Sequence, residues 1–260
     1  MFGGAFNVGI NINADKIIYN DLVPPLADLM KAFRDNSKED ILKYIDTTIA
    51  KFKLSKTNKE AYYNFREYYN KNNSCDDGKK NNPLDLFILS CFSFSNYISF
   101  SYNYKKFNSS AGTNRSHYTK DMKNNLILFK DKMDKIDLTI LNNSFEELDY
   151  DADAFYYLDP PYFLTDATYN KFWNESKEKE LLKILSQANF KFALSNVIEY
   201  NGKTNNLLKE AVKENNWNVI PIESDYRTNS SNQKKRIKNN EVLVINYEKP
   251  TIQKGLDEWR

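Results

Sequence analysis

Apolar positions along this chain follow two rhythms. Short unbroken or alternating runs predict strands over 16–21, 138–141, 155–158, 192–196, 219–222 and 241–247. Apolar positions three and four apart predict helices instead. Ile41, Leu42, Ile45 and Ile49 mark one over 41–52, and Tyr62, Phe65 and Tyr69 mark another over 60–69. The same spacing predicts helices over 84–94, 120–133, 175–185 and 207–214. Residues 97–107 alternate aromatic and polar side chains as a hairpin does, and polar loops fill 72–83, 108–119 and 226–240. The last two strands, joined by the third of these loops, read as a hairpin at a sheet edge. The expected fold class is α/β: a mixed, mainly parallel sheet with helices on both faces. Residues 1–31 and 136–260 would form that domain. Residues 32–135, mostly short helices and the hairpin, would form an inserted, mainly helical lobe.

The run Phe155-Tyr156-Tyr157-Leu158 ends in Asp159-Pro160-Pro161-Tyr162. Neither proline continues a central strand, because each lacks an N–H and has a fixed φ. Asp159 therefore closes the strand, and in open α/β sheets ligands bind beyond the carboxyl ends of strands. This set suits an amine on a heterocycle, whose lone pair is delocalised into the ring. Two acceptors facing its N–H bonds would draw charge onto the nitrogen and favour the tetrahedral geometry needed for attack. Asp159 supplies one acceptor. The carbonyl of Pro160 is free to be the second, since a residue before proline is held extended. Tyr162 can stack on the ring, an interaction worth about 1–3 kcal/mol. The alternative is a plain strand end, with Asp159 starting a turn and the prolines punctuating it.

Asp-Pro-Pro-Tyr after a buried strand resembles the catalytic motif of S-adenosylmethionine-dependent DNA amino-methyltransferases. The Asp form is similar to the adenine enzymes. The order of the other motifs, over residues 2–247, resembles phage and bacterial adenine methyltransferases of the GATC-methylating kind. The resemblance implies a Rossmann-like methyltransferase sheet and a target-recognition role for the inserted lobe. It also implies S-adenosylmethionine as methyl donor, no metal, and double-stranded DNA from which the target adenine is flipped. Asp159, Pro160, Pro161 and Tyr162 are the catalytic residues it implies.

Near the start, Gly3 and Gly4 let the backbone approach a ligand closely. A helix is expected after them, and the strand over 16–21 ends in Asp21. Glycine turn, helix, strand and acid is how a Rossmann-like unit holds a nucleoside, with the acid on the ribose hydroxyls. Asp21 capping a helix that begins near Pro24 is the alternative. The resemblance implies cofactor contacts from Phe2, Gly3, Gly4 and Asp21, from Phe145 against the adenine ring, and from Asp159. Asn143 or Ser144 stands where relatives carry an acid. The family also has a strand and a Gly-x-Lys segment ahead of the glycine turn, where this chain begins. That strand is expected upstream of a misplaced start, in a missing piece of the gene, or on another polypeptide. Its two neighbours would be left with unpaired edges.

Within the insert, Phe92-Ser93-Phe94-Ser95-Asn96 and Phe107-Asn108-Ser109-Ser110-Ala111-Gly112 resemble two stretches of the family's recognition lobe. Ser99 stands for an arginine of relatives, and Ser110-Ala111-Gly112 for their Pro-Phe-Gly. Asn96 and Arg115 are the candidate DNA contacts. Arg115 either pairs with guanine or meets phosphate or solvent. Lys234, Lys235 and Arg236 lie in the basic loop and either hold phosphates or are simply solvated.

Composition narrows these readings further. The 260 residues are 41% hydrophobic and carry a net charge of +2, so a sizeable core can form and any polyanion must be met by local patches. Cys75 and Cys91 have neither metal-ligand spacing nor a Pro-Cys pair. Both facts argue against a disulfide scaffold and against covalent cysteine attack on cytosine, and a reducing cytoplasm is expected. The single histidine, His117, leaves Ser-His-Asp and histidine–metal chemistry little to work with. No secretory signal and no membrane-length apolar run is found. Expected partners are DNA and a cognate restriction endonuclease, with the chain a monomer or weak dimer. Two rival readings stand: a methyltransferase of this fold acting on RNA or a protein amide, and an inert fragment, DNA-binding module or half of a split enzyme.

Overall fold

The structure, a computed structural model, describes residues 2–74, 81–101, 104–165, 173–222 and 239–248. Contacts divide it into two compact units, Phe2–Ser144 and a second that starts at Phe145. In the first unit, β1 (Lys16–Asn20) and β2 (Asp137–Leu141) pair in parallel, with Lys16 opposite Asp137 and Asn20 opposite Leu141. Five helices lie between them in sequence: α1 (Pro24–Asp35), α2 (Lys38–Phe52), α3 (Lys59–Ser74), α4 (Leu84–Phe92) and α5 (Lys120–Met133). Local signals start them. Pro24 and Pro25 sit in the first turn of α1, where a missing N–H costs nothing. Ser37 accepts the Asp40 amide ahead of α2, and Thr119 accepts the Met122 amide ahead of α5, each at 3.1 Å. α4 is apolar nearly all round and is therefore the buried centre. Its Leu86, Ile88 and Leu89 have no exposure, and it packs against α1, α2 and α3.

One expectation for this unit needs correction. No α-helix follows the glycine turn, only a single 3-10 turn over Gly9–Asn11. The segment curls around Phe6 instead, whose ring meets Tyr19 and Phe129 edge-on and lies where a Gly9 side chain would go. The 97–107 segment doubles back as expected: Ser101 donates its amide to the Lys106 carbonyl at 2.8 Å and Asn108 to the Ser99 carbonyl at 2.9 Å, on either side of an antiparallel Phe100–Phe107 bridge. Phe107 is almost fully buried there and meets the Phe100 ring edge-on.

The second unit contains β3 (Phe155–Leu158), α6 (Glu175–Ser186), β4 (Lys191–Tyr200), β5 (Lys203–Thr204), α7 (Asn206–Glu214), β6 (Asn218–Pro221) and β7 (Asn239–Ile245). The sheet order is β3-β4-β7-β6, with β5 beside β4. β3 and β4 are parallel, and β7 runs antiparallel to both β4 and β6, as a closing hairpin requires. β4 is flanked on both sides and buried from Phe192 through Val197, so its apolar run needs no alternation. The strand outruns the expected 192–196, reaching Tyr200 before turning back into β5. Asn201 and Gly202 make that turn with φ of 48° and 80°, the left-handed pair that a two-residue hairpin needs. Among the described residues, β1 has β2 as its one strand neighbour and β3 has β4, so each is the edge of its sheet.

Candidate active site

Leu158 closes β3 with no exposure, and Asp159 after it emerges into solvent. Leu158 is in register with Leu194, so Asp159 and Ser195 stand side by side at the carboxyl ends of β3 and β4. Burial raises the Asp159 carboxyl pKa; a hydrogen bond from Ser195 opposes the rise, the nearby Glu241 charge adds to it, and a bond from Tyr162 opposes it again. The side chain is open to water on one side and closely surrounded on the other, which reconciles its exposure with the raised pKa. A carboxylate offers roughly four acceptor positions. Ser195 and Tyr162 occupy part of that capacity, and the rest is free for the N–H groups of a ligand.

Pro160 is buried and Pro161 half-buried, which fixes the exit from the strand. Thr165 then donates from its amide and its hydroxyl to the Tyr162 carbonyl, both at 3.0 Å, closing a turn. Tyr162 is half-buried, and its hydroxyl lies 2.8 Å from Ser195 Oγ. Burial holds its phenol well above the usual tyrosine range. Ser195 and Glu241 were not among the sequence candidates. The signal for Ser195 was a Ser-Asn pair closing an apolar strand; Glu241 had none beyond its place in an alternating run.

Behind the sheet, Asn196 turns the other way. Its Nδ2 donates to Glu178 Oε1 at 3.1 Å, and Asn205, the cap of α7, donates to the same oxygen at 3.0 Å. Trp173 Nε1 donates to Oε2 at 2.7 Å. Glu178 has no exposure. One buried acid thus ties α6, the end of β4 and the start of α7 together. Phe145, expected on the cofactor's adenine, is 5% exposed; it packs on Trp173 at 5.5 Å, with the Lys177 ammonium 5.7 Å from its ring centre.

In the first unit, the glycine turn is bound to the end of β1. Gly3 donates its amide to the Asn20 carbonyl at 2.8 Å, and Tyr19 donates its hydroxyl to the Gly4 carbonyl at 2.9 Å. A side chain at Gly3 would lie 2.2 Å from the Tyr19 ring, and Gly4 has a φ of 47°. Asp21 accepts the Gly4 amide at 2.8 Å and the Val23 amide at 2.9 Å. It is 8% exposed, and burial raises its pKa against those two bonds. Asp21 thus clamps the glycine turn and holds the amide of Val23, the residue that precedes α1. Phe2 is half-buried with a φ of 56°. Asn143 exchanges two hydrogen bonds with the Asn20 side chain through its backbone.

The candidate DNA contacts are placed unevenly. Arg115 is exposed, with its guanidinium 6.0 Å from the centre of the Phe94 ring. Asn96 donates to the Ser90 and Cys91 carbonyls at 3.2 and 3.3 Å and so closes the end of α4. Lys234, Lys235 and Arg236 lie outside the described residues. Among the described residues, no helix is long and apolar enough to cross a membrane.

An acid–proline–proline–tyrosine turn at the carboxyl end of a parallel strand accords with what the comparison of the whole chain gives. The chain belongs to the D12 class N6 adenine-specific DNA methyltransferases, whose family model matches residues 1–248. It is similar to the modification methylase StsI of Streptococcus sanguinis, with 38% identity covering 97% of this chain and 39% of that one. It is also similar to the type II methyltransferase M.FokI of Planomicrobium okeanokoites, with 36% identity covering 95% and 38%. The modification methylase LlaI of Lactococcus lactis subsp. lactis is 32% identical over 85% of this chain and 36% of its own. The chain spans about two fifths of the length of these relatives.

Proposed function

We propose that this chain moves a methyl group from S-adenosylmethionine to the 6-amino group of an adenine flipped out of double-stranded DNA. The observation that carries the reading is Asp159, solvent-open at the end of β3 and oriented by neighbouring hydroxyls. Asp159 and the Pro160 carbonyl accept the two N–H bonds of the amine, which localises the lone pair on nitrogen. Tyr162 stacks on the flipped ring. As nitrogen gains its new bond it must lose a proton, and the raised pKa of Asp159 suits it to take that proton up. Positioning and fixed dipoles supply most of the acceleration.

S-adenosylmethionine, when bound, supplies the electrophilic methyl group. The donor set fits such a ligand: a glycine turn held in a conformation that side chains resist, beside a carboxylate that retains acceptor capacity after binding two amides. Phe2, Gly3, Gly4 and Asp21 would hold it, with Phe145 and Asp159 as further contacts. Residues 1–31 and 136–260 act as the catalytic domain in this reading. Residues 32–135 recognise the target, with Arg115 at a base or phosphate and GATC the first sequence to try. In this reading the chain modifies DNA alongside a cognate restriction endonuclease.

The test is transfer of labelled methyl to DNA free of adenine methylation, with the product identified as methyladenine. Asp159→Ala should lower the rate by about 10²–10³-fold or more while cofactor binding, followed by calorimetry, persists. Methylation by Asp159→Ala within about threefold of the parent rate would remove Asp159 from the chemistry.

A further inference from the structure

Parallel strands in register place equivalent side chains on the same face. The face that carries Asp159 also carries Tyr157 two residues before it and Ser195 beside it. On β7, Glu241 is opposite Val197, two residues beyond Ser195, and so shares that face. Tyr162 reaches back from the loop to Ser195 Oγ. Ser195 is 5% exposed within a stretch that is apolar apart from it and Asn196, a place where a hydroxyl costs free energy unless it is bonded. Its hydroxyl is 2.8 Å from that of Tyr162, it neighbours Asp159 through the strand register, and its hydrogen bonding lowers the pKa of Asp159 and Tyr157 against burial.

The 2.8 Å contact between Tyr162 and Ser195 restricts where the protons lie, with either oxygen able to donate. Tyr162 has one to give, and Ser195, Asp159 and Glu241 all stand ready to accept it. Suppose Tyr162 donated to Glu241 while Ser195 donated to Asp159. Two oxygens would then face each other at 2.8 Å with no proton between them. A chain from Tyr162 to Ser195 to Asp159 avoids that conflict, as does one from Ser195 to Tyr162 and on to an acid; the first gives the carboxylate an oriented Ser195 donor.

We propose, resting on the methyltransferase reading above, that Ser195 is a positioning residue: it accepts from Tyr162 and donates to Asp159, fixing both for the incoming amine. Without it, the carboxylate can rotate off the amine and the aromatic ring loses its anchor. The bond to Asp159 also favours the ionised carboxylate, so its loss moves the titration of Asp159 upward.

Ser195→Ala, Ser195→Thr and the parent protein distinguish this role from a merely structural one. The alanine variant should lose about 10–100-fold in kcat with little change in KM for DNA. The acid limb of its kcat/KM profile should move up by about one pH unit. Carbon-13 NMR titration of the Asp159 carboxyl should show the same displacement without any turnover. Threonine, which keeps the hydroxyl, should recover much of the rate. The proposal is overturned if kcat is unchanged in Ser195→Ala. It is equally overturned if kcat falls while both the acid limb and the carboxyl titration stay in place. If the parent protein transfers no methyl to adenine, the assigned reaction fails, and the carboxyl titration still decides whether Ser195 holds Asp159.

Discussion

Glu178 offers the most quantitative test of how the site is supported. It lies in the charged run Glu175-Ser176-Lys177-Glu178-Lys179-Glu180, yet it has no exposure and accepts from Trp173, Asn196 and Asn205. Glu178→Ala strands three buried donors. Each orphaned donor costs about 1–3 kcal/mol, so roughly 9 kcal/mol is the ceiling. Water entering the vacated space and partial collapse bring the expected loss down to about 3–5 kcal/mol. Glu178→Gln keeps the volume but replaces one acceptor oxygen with a donating NH2. Facing donors on both sides, it can keep either the two asparagine bonds or the tryptophan bond, at a cost of about 1–3 kcal/mol. Urea unfolding followed by tryptophan fluorescence measures both, and Trp173 is itself a member of the cluster. Methyl transfer should fall in the alanine variant as well, because Asn196 directly follows Ser195 in β4. A loss below about 1 kcal/mol for alanine, or equal losses for alanine and glutamine, would refute the account of Glu178 as a three-bond acceptor.

Two further perturbations probe the first unit. Gly3→Ala puts a methyl against the Tyr19 ring, which is 1% exposed and tethered through its hydroxyl, so a loss of about 1–3 kcal/mol is expected. Gly4→Ala meets open space and pays only for a φ of 47°, about 1 kcal/mol; urea midpoints should rank the two in that order. Asp85 is buried beside Tyr44, and burial pushes its carboxyl pKa up to about 6, above its unfolded value. The folded state therefore holds this proton more tightly. The stability it contributes is complete below about pH 4 and lost as pH rises through about 6. Asp85→Asn should flatten that part of the stability–pH curve, and an unchanged slope between these limits would rule Asp85 out as its source.

Much of the architecture was legible because its causes are local. Two prolines end β3 at Leu158 whatever surrounds them, and Thr119 starts α5 with its own side chain. The apolar run of α4 predicts a buried helix, since no face of it is fit for water. The Asn-Gly pair that turns β4 into β5 was equally local and was passed over, because the strand was expected to stop at its Ser-Asn pair. The catalytic motif could be read for the same reason: acid, prolines and tyrosine are contiguous, and the chemistry follows from their adjacency.

Tertiary structure decided what those residues touch. The α6 pattern places Glu178 on the face of Leu181, Leu182 and Leu185, but nothing local says that an acid there will find three donors. Asn96, the residue expected at DNA, closes a helix end, because the chain's left-handed turn brings its amide onto the α4 carbonyls. Asp21 has its carboxylate divided between two amides, one of them seventeen residues away. Ser195 and Glu241 join Asp159 only through the register of three strands, and register depends on pairings between segments far apart in sequence. A sequence states which groups are present and how its own backbone bends around them. Which donor faces which acceptor across a sheet is settled by packing, since each burial is compatible only with the partners that the whole fold delivers.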